Sequence, residues 1–276
     1  MSKWTGILRL TVENKNGKTI SKNVYFQGAF KVMRPHYLDN SGQACYYLIN
    51  TGGGYVDGDT YRMEITLEQE SELLLTTQSS TKIYRTPNIP VVQETEIILK
   101  RNSLLEFIPD ALIAYRDARY EQRNVIRMEN GATLIFVDIL TPGWSPDGDL
   151  FSYDRLQLKN EIYLEDQLVV FDHLKLEPPN QTIESIGLME GYTHLGSMIV
   201  INEKMDQDHL DKLYTVLEEK AKATNCKIGL SLLSVPGFSL RVLASSTQSI
   251  EQLLMECHQL IRKEWFNKEP VFLRKY

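Results

Sequence analysis

The sequence predicts a mainly β protein of layered sheets, closed near its C-terminus by a small α/β unit that carries two amphipathic helices. Three observations point there. From residue 4 to about residue 200 the dominant hydrophobic period is two, the period of a strand with one buried face, and turn residues interrupt the runs. Three segments in that stretch, 71–76, 102–107 and 131–136, resemble one another: each is a polar turn leading into an apolar strand, about 30 residues from the next. Past Gly196 the period changes twice to that of a helix.

Taken in order, Ile7-Leu8-Arg9-Leu10-Thr11-Val12 alternates, and the chain returns from Thr19 to Phe26. Asn16-Gly17 lies between them as a hairpin turn, because both residues tolerate the positive φ that a tight hairpin requires. The three similar segments suit stacked strand units that each leave an apolar face for the next, as in a β-helix or a layered sandwich. Ordinary meander spacing accounts for three such matches equally well, so the residues alone leave both open. Leu210, Leu213, Tyr214, Leu217 and Ala221 recur at helical spacing, and so do Ile250, Leu253, Leu254, Cys257, Ile261 and Trp265. Asp206 and Asp208 mark the start of the first helix, where carboxylates favour its positive end. Residues 227–233 and 238–244 read as strands joined through Ser234-Val235-Pro236-Gly237. With 197–201 ahead of the first helix, the order is strand, helix, two strands, helix, as in a split βαβ half. The division falls between a β body, 1–195, and a closing unit, 196–276. No Ser/Gly-rich linker or charge run separates them, which predicts a shared core.

Composition excludes several function classes. At 276 residues the chain is long enough to bury roughly three quarters of its unfolded surface without staples. Its three cysteines, Cys45, Cys226 and Cys257, include no CxxC pair, which argues against a disulfide framework and for the cytoplasm. No apolar leader follows Met1, and no run approaches the length of a spanning helix, so secretion and membrane insertion are not expected. The formal net charge is −6, and no basic stretch is long enough to track a phosphate backbone, which argues against nucleic acid.

The polar chemistry concentrates in a few places. A loop, Gly52-Gly53-Gly54-Tyr55-Val56-Asp57-Gly58-Asp59, lies one strand away from a hydroxyl-rich segment, Thr76-Thr77-Gln78-Ser79-Ser80-Thr81-Lys82. Gly53, Gly58 and Thr60 stand at phosphate-loop spacing with Asp59 in place of the lysine. A carboxylate there repels terminal phosphates, so the loop is not a nucleotide site. Asp57 and Asp59 would face one side in extended backbone, as paired acids for glycoside hydrolysis should, although Asp-Gly pairs are also ordinary turn chemistry. Asp138 lies inside the apolar run Leu134-Ile135-Phe136-Val137-Asp138-Ile139-Leu140, and Asp172 follows Leu168-Val169-Val170-Phe171. A buried carboxylate needs a cation, hydrogen bonds or a metal, and Lys82 is a cation that could answer one of them. Structural salt bridges explain such a set in a pure adaptor; a hydrated cavity or an ion path explains it as well. Oxygen donors without sulfur suit a labile ion better than a permanent one. There is no G-x-S-x-G, and His36, His173, His194 and His209 lack zinc-ligand spacing. Cys257 and His258 are neighbours on the second helix, read as a core cysteine beside a surface histidine.

Gly53-Gly54-Tyr55-Val56-Asp57-Gly58-Asp59, Ser80-Thr81-Lys82-Ile83-Tyr84-Arg85, Asp138-Ile139-Leu140 with Thr141-Pro142-Gly143, and the closing Phe272-Leu273-Arg274-Lys275-Tyr276 resemble the UreD (UreH) urease accessory proteins over essentially the full chain, and most of all their firmicute-type members. The resemblance implies a β-helix-like fold of layered antiparallel and mixed sheets. It also implies a non-enzymatic chaperone role in urease maturation. Such proteins form a complex with UreF and the GTPase UreG, as a dimer of heterotrimers, that inserts nickel into apo-urease (UreABC). GTP is bound by the partner only, and this chain would hold no tight cofactor, only Ni2+ in transit through a polar interior. Carried over by position, that interior comprises Asp59, Thr81, Lys82, Asp138 and Asp172, beside the loop residues Gly53, Gly54, Asp57 and Gly58. The chain departs from the family pattern in Thr51-Gly52, where two prolines are common, in Asp57, where glycine is common, and in Thr81, often serine; at Asp172 glutamate also occurs.

Overall fold

A strand with one apolar face must be covered by a second layer, and this chain supplies the cover by coiling upon itself. The structure, a computed structural model, describes residues 4–273; Met1, Ser2 and Lys3 at one end, and Arg274, Lys275 and Tyr276 of the closing motif at the other, lie outside the described residues.

The chain opens with a hairpin of β1 (Gly6–Lys15) and β2 (Lys18–Gly28), turned by Asn16 and Gly17 at φ 55° and 79°. After β3 (Phe30–Val32) it begins to coil. One wall is built by the parallel strands β4 (Ala44–Asn50), β6 (Glu72–Thr77), β9 (Leu104–Phe107) and β12 (Thr133–Leu140). The opposite wall is built by the parallel strands β1, β5 (Thr60–Leu67), β8 (Val91–Leu99), β11 (Arg119–Met128) and β13 (Arg155–Leu164). A short third wall joins them, made by β7 (Thr81–Ile83) and β10 (Leu112–Ala114) and extended by bridges from Tyr55 to Ile83 and from Tyr115 to Trp144. The three similar sequence segments are the same face of three successive coils, since Leu73, Leu105 and Leu134 stand in register. Parallel pairing settles the alternative left open by the sequence, because a meander pairs its neighbours antiparallel.

The coil closes with β14 (Gln167–Leu176), the antiparallel edge of the seven-stranded sheet, and β15 (His194–Ile201), which adds antiparallel to β12 in the ten-stranded one. Beyond β15 come α1 (Gln207–Ala223), β16 (Lys227–Leu232), β17 (Gly237–Ala244) and α2 (Thr247–Phe266). Strand β17 pairs antiparallel with both β15 and β16, so these two run parallel across it with α1 as their crossover, which is the split βαβ arrangement. β15 belongs to both parts: Ile199 and Ile201 pack into the interior of the coil, whereas Met198 and Val200 pack beneath the helices.

Asp206 caps α1 by accepting from the His209 N–H, and Ser246 caps α2 by accepting from the Ser249 N–H. The buried stripe of α2 is wider than its apolar residues suggest. His258 is 1% exposed and Arg262 fully buried, so His258 is not a surface residue as the sequence reading had it. The reason lies on the facing wall. Glu106 of β9 points toward the helix, where it meets the His258 Nε2 at 2.7 Å and the Arg262 Nη1 at 2.6 and 2.8 Å. Arg262 also reaches Gln43 and Asp39, and donates from Nε to the Glu269 carbonyl. Burial would raise the Glu106 carboxyl, but the imidazole, the guanidinium and the Gln43 amide hold it down at about 2.

Candidate functional site

The Gly-rich loop turns the chain from the third wall into β5. Gly53 and Gly58 hold φ of +72° and +75°, conformations that side chains with a Cβ rarely adopt. Gly54 is small for a different reason. A Cβ there would sit 2.5 Å from a ring carbon of Tyr84 and 3.0 Å from the Lys82 carbonyl oxygen, so loop and third wall are in direct contact. Gly54→Ala is expected to destabilise the protein by about 1–3 kcal/mol, as overpacking does. Chemical denaturation checks this; a midpoint equal to wild type rejects the close packing of the loop.

The two acids of this loop part company at Gly58. Asp57 accepts from the Asn88 and Ile89 N–H groups and from the Asn88 amide, each at 2.9 Å, and so fastens the loop at 88–89. These bonds, the Asn88 side chain first, lower its pKa. Asp59 accepts instead from the Val56 N–H and the Tyr61 hydroxyl, both at 2.9 Å. The extended backbone that would aim both acids one way is broken by the left-handed Gly58, and the paired-acid arrangement does not form. From Asp59 the polar contacts run inward: Tyr61 stacks on Tyr55 with ring centroids 3.8 Å apart, and the Tyr55 hydroxyl donates to Gln93 at 2.7 Å.

Deeper inside, one polar row from each main wall faces the other. In the seven-stranded sheet Thr95, Asn124, Asn160 and Asp172 stand in register on β8, β11, β13 and β14, beside a second row of Tyr61, Gln93 and Gln122. In the ten-stranded sheet Asp138, Ser197 and Arg241 stand in register on β12, β15 and β17. Bonds run along the rows and cross between the sheets. Asn160 Nδ2 donates to Asp138 at 3.2 Å and to Asp172 at 3.4 Å, and Gln122 Nε2 donates to Asp138 at 3.4 Å. The Asn124 amide donates to the Asn160 carbonyl oxygen at 2.7 Å, and Arg241 forms a salt bridge with Asp172.

Three cavities follow these rows. One of about 50 Å³ lies beneath the loop, lined by Asn50, Gly53, Gly54, Tyr55 and Ser80 and walled by Thr81 and Lys82. A second of about 50 Å³ shares Thr81 with it and reaches Gln93, Gln122, Asn124 and Asp138. A third of about 10 Å³ shares Asp138 with the second and ends among Asn160, Asp172, Ser197 and Arg241. The first two have room for a water, whereas the last is at the lower limit for one. Burial pushes the Asp138 carboxyl up to about 7; the Asn160 amide opposes that rise and the negative Asp172 adds to it. The polar groups nearest Asp138 are the Asn160 and Gln122 amides, set among Leu140, Leu158, Leu174 and Leu195. Among the described residues no group of three or more His, Cys, Asp or Glu side chains is placed to hold a metal ion.

Of the residues singled out in the sequence, Thr81, Asp138 and Asp172 line this interior, and Asp59 joins it through the tyrosines. Lys82 stands on the wall of the first cavity, where Thr81 and Ile83 turn inward and the alternation of a strand turns Lys82 away from them. The cation that meets Asp172 is Arg241, which sequence reasoning passed over, together with Gln93, Gln122, Asn124 and Asn160. The signal available to sequence was weak: polar side chains recur at the coil spacing on the inward positions of strands whose outward positions are charged as well.

Comparison with known proteins agrees with this architecture. The family model described as UreD urease accessory protein matches residues 5–275. The chain is 54% identical over 276 residues to a protein named urease accessory protein UreD from Lachnoclostridium phytofermentans, covering all of both chains. It is 43% identical to one of the same name from Bacillus sp. strain TB-90, over 99% of this chain and all of the relative. A third, from Staphylococcus epidermidis, is 40% identical over 99% of each. With a family match across nearly every residue and relatives of equal length, the chain belongs to the UreD family of urease accessory proteins, whose role lies in the maturation of urease.

Proposed function

We propose that this chain is a non-enzymatic scaffold and nickel conduit that works in the cytoplasm with UreF and the GTPase UreG to load apo-urease. The observation that carries the reading is the polar rows that face each other between the two main walls, with small separate cavities along them that have Thr81 and Asp138 as common lining residues, from the Gly53–Lys82 region to Asp172. A nickel ion in transit is cargo, and its path should bind weakly at several points, since one tight site would trap it. Spaced carboxylates with carboxamide neighbours suit that task. GTP hydrolysis falls to UreG, in keeping with Asp59 at the position where a phosphate loop has lysine. The working assembly in this reading is a dimer of heterotrimers docked on urease.

Co-expression with urease and the other accessory proteins tests the reading. Asp138→Ala is expected to reduce urease nickel content by roughly tenfold or more, about 1.4 kcal/mol of transfer barrier, while UreF and urease still co-purify with the variant. Unchanged nickel content in that variant removes the conduit and leaves a structural adaptor. Recovery of neither UreF nor urease with the wild-type chain overturns the assembly.

A further inference from the structure

The third cavity ends at a cation that the chain itself provides. Arg241 projects from β17, one step along its cross-strand row from Ser197 and two from Asp138, and its guanidinium binds Asp172 on the opposite sheet. This salt bridge joins the edge strand of the seven-stranded sheet to the ten-stranded sheet where the interior meets solvent. Asp172 retains 20% of its side-chain exposure and Arg241 37%. Asp138 and Asp172 share the Asn160 amide, so the guanidinium neutralises a region carrying two carboxyl groups. On the far side of Arg241, the residue opposite it on edge strand β16 is Gly229, and a Cβ built there would meet no atom within 4 Å. Directly opposed residues share a face, so the side chain has free space beside it, away from the acids.

We propose that Arg241 is a tethered counter-ion that closes the Asp172 end of the polar interior: it holds the Asp172 oxygen that an arriving divalent cation would take, and swings toward Gly229 when one arrives. This rests on the conduit reading and adds a residue and a device to it. A positive charge at the end of the path has two consequences. At rest it satisfies Asp172, which would otherwise be a half-buried carboxylate without a cation. When an ion is present, it competes with it, so that the acid pair never becomes a deep trap. A compact, strongly charged divalent ion can displace a guanidinium whose charge is spread over three nitrogens, but only when there is room for the side chain to leave.

The test uses the isolated full-length chain and Ni2+ alone. Arg241→Met keeps the length of the side chain and removes its charge; it is expected to bind one Ni2+ per chain at least roughly tenfold more tightly than wild type by calorimetric titration. Adding Asp172→Asn should abolish that gain. A folded Arg241→Met with wild-type affinity overturns the proposal. Should that variant not fold, the wild-type chain carries the test: labelling of Arg241 by an arginine-specific dicarbonyl, read by mass spectrometry, should rise with millimolar Ni2+, and constant labelling overturns the proposal. Gly229→Val fills the free space, so it should weaken Ni2+ binding to the isolated chain and slow nickel delivery in co-expression; unchanged affinity overturns the swing. The conduit is judged separately by Asp138→Ala. Tight Ni2+ binding by Arg241→Met beside normal delivery by Asp138→Ala retains the counter-ion and rejects the conduit, and the reverse pattern retains the conduit and rejects the counter-ion.

Discussion

Arg262→Met is expected to lower stability by about 3–5 kcal/mol, the loss seen when one partner of a buried ion pair is removed and the other stays charged. The guanidinium is fully buried and serves Glu106, Gln43, Asp39 and the Glu269 carbonyl at once. Methionine fills much of the volume but leaves Gln43 and the carbonyl without this donor, and Glu106 with His258 and the Gln43 amide. In a chain of this size such a loss lowers the melting temperature by roughly 10 °C. The acid limb of stability should change with it. Glu106 has its folded pKa lowered to about 2 from 4.5, so its contribution is complete above pH 4.5 and lost as pH falls toward 2. That window corresponds to roughly 3 kcal/mol in the wild type, and it should shrink in Arg262→Met. The double variant with Glu106→Gln should recover part of the loss, because no buried carboxylate is then left short of charge. Denaturant melts at pH 7 and pH 3 check all three; a single variant with wild-type stability shows that the network contributes nothing net.

Asp138→Asn is expected to act in the opposite direction, raising stability at pH 8 while impairing nickel delivery. The Asp138 carboxyl has its folded pKa raised from 3.8 to about 7, chiefly by burial. Between those values the folded state holds the proton more tightly than the unfolded chain, so wild-type stability falls as pH rises from about 4 to 7 and levels off above. About three pKa units correspond to roughly 4 kcal/mol, and asparagine removes that dependence. The net gain is smaller, since Asn160 and Gln122 both donate to Asp138 and an amide accepts only on its oxygen. Thermal melts from pH 4 to pH 8 should show a flatter profile for the variant, crossing the wild-type curve on the alkaline side. Parallel profiles would show that Asp138 does not titrate against folding. A carboxylate that costs stability in the resting protein is consistent with the proposed conduit.

Much of this was legible in the chain. Asp138 was conspicuous because an acid inside Leu134-Ile135-Phe136-Val137 breaks a run that has no other reason to be broken. The recurrence of three apolar segments allowed the coil without deciding it against a meander, and the two helices were visible in their spacing. Arg241 was not, because in Phe238-Ser239-Leu240-Arg241-Val242 it reads as the outward residue of an alternating strand, and only the approach of β14 gives it a partner inside. His258 and Arg262 were missed for a related reason. A helix is judged by the apolar stripe it shows, and the stripe widens here to meet Glu106, a residue 152 positions away. The split of Asp57 from Asp59 followed from the φ of Gly58, which glycine permits but does not dictate.

The lock between Arg262 and Asp39 also has a consequence in time. Its two ends are separated by 223 positions, so a chain emerging from the ribosome has completed its coils long before α2 exists to cover them. Until then Glu106 lies on the outer surface of an open sheet without its cations, among Ile135, Val137 and Ile139, which later pack beneath the helices. The order of synthesis thus makes α2 the last element placed, and only its arrival covers that apolar face and brings Glu106 its cations.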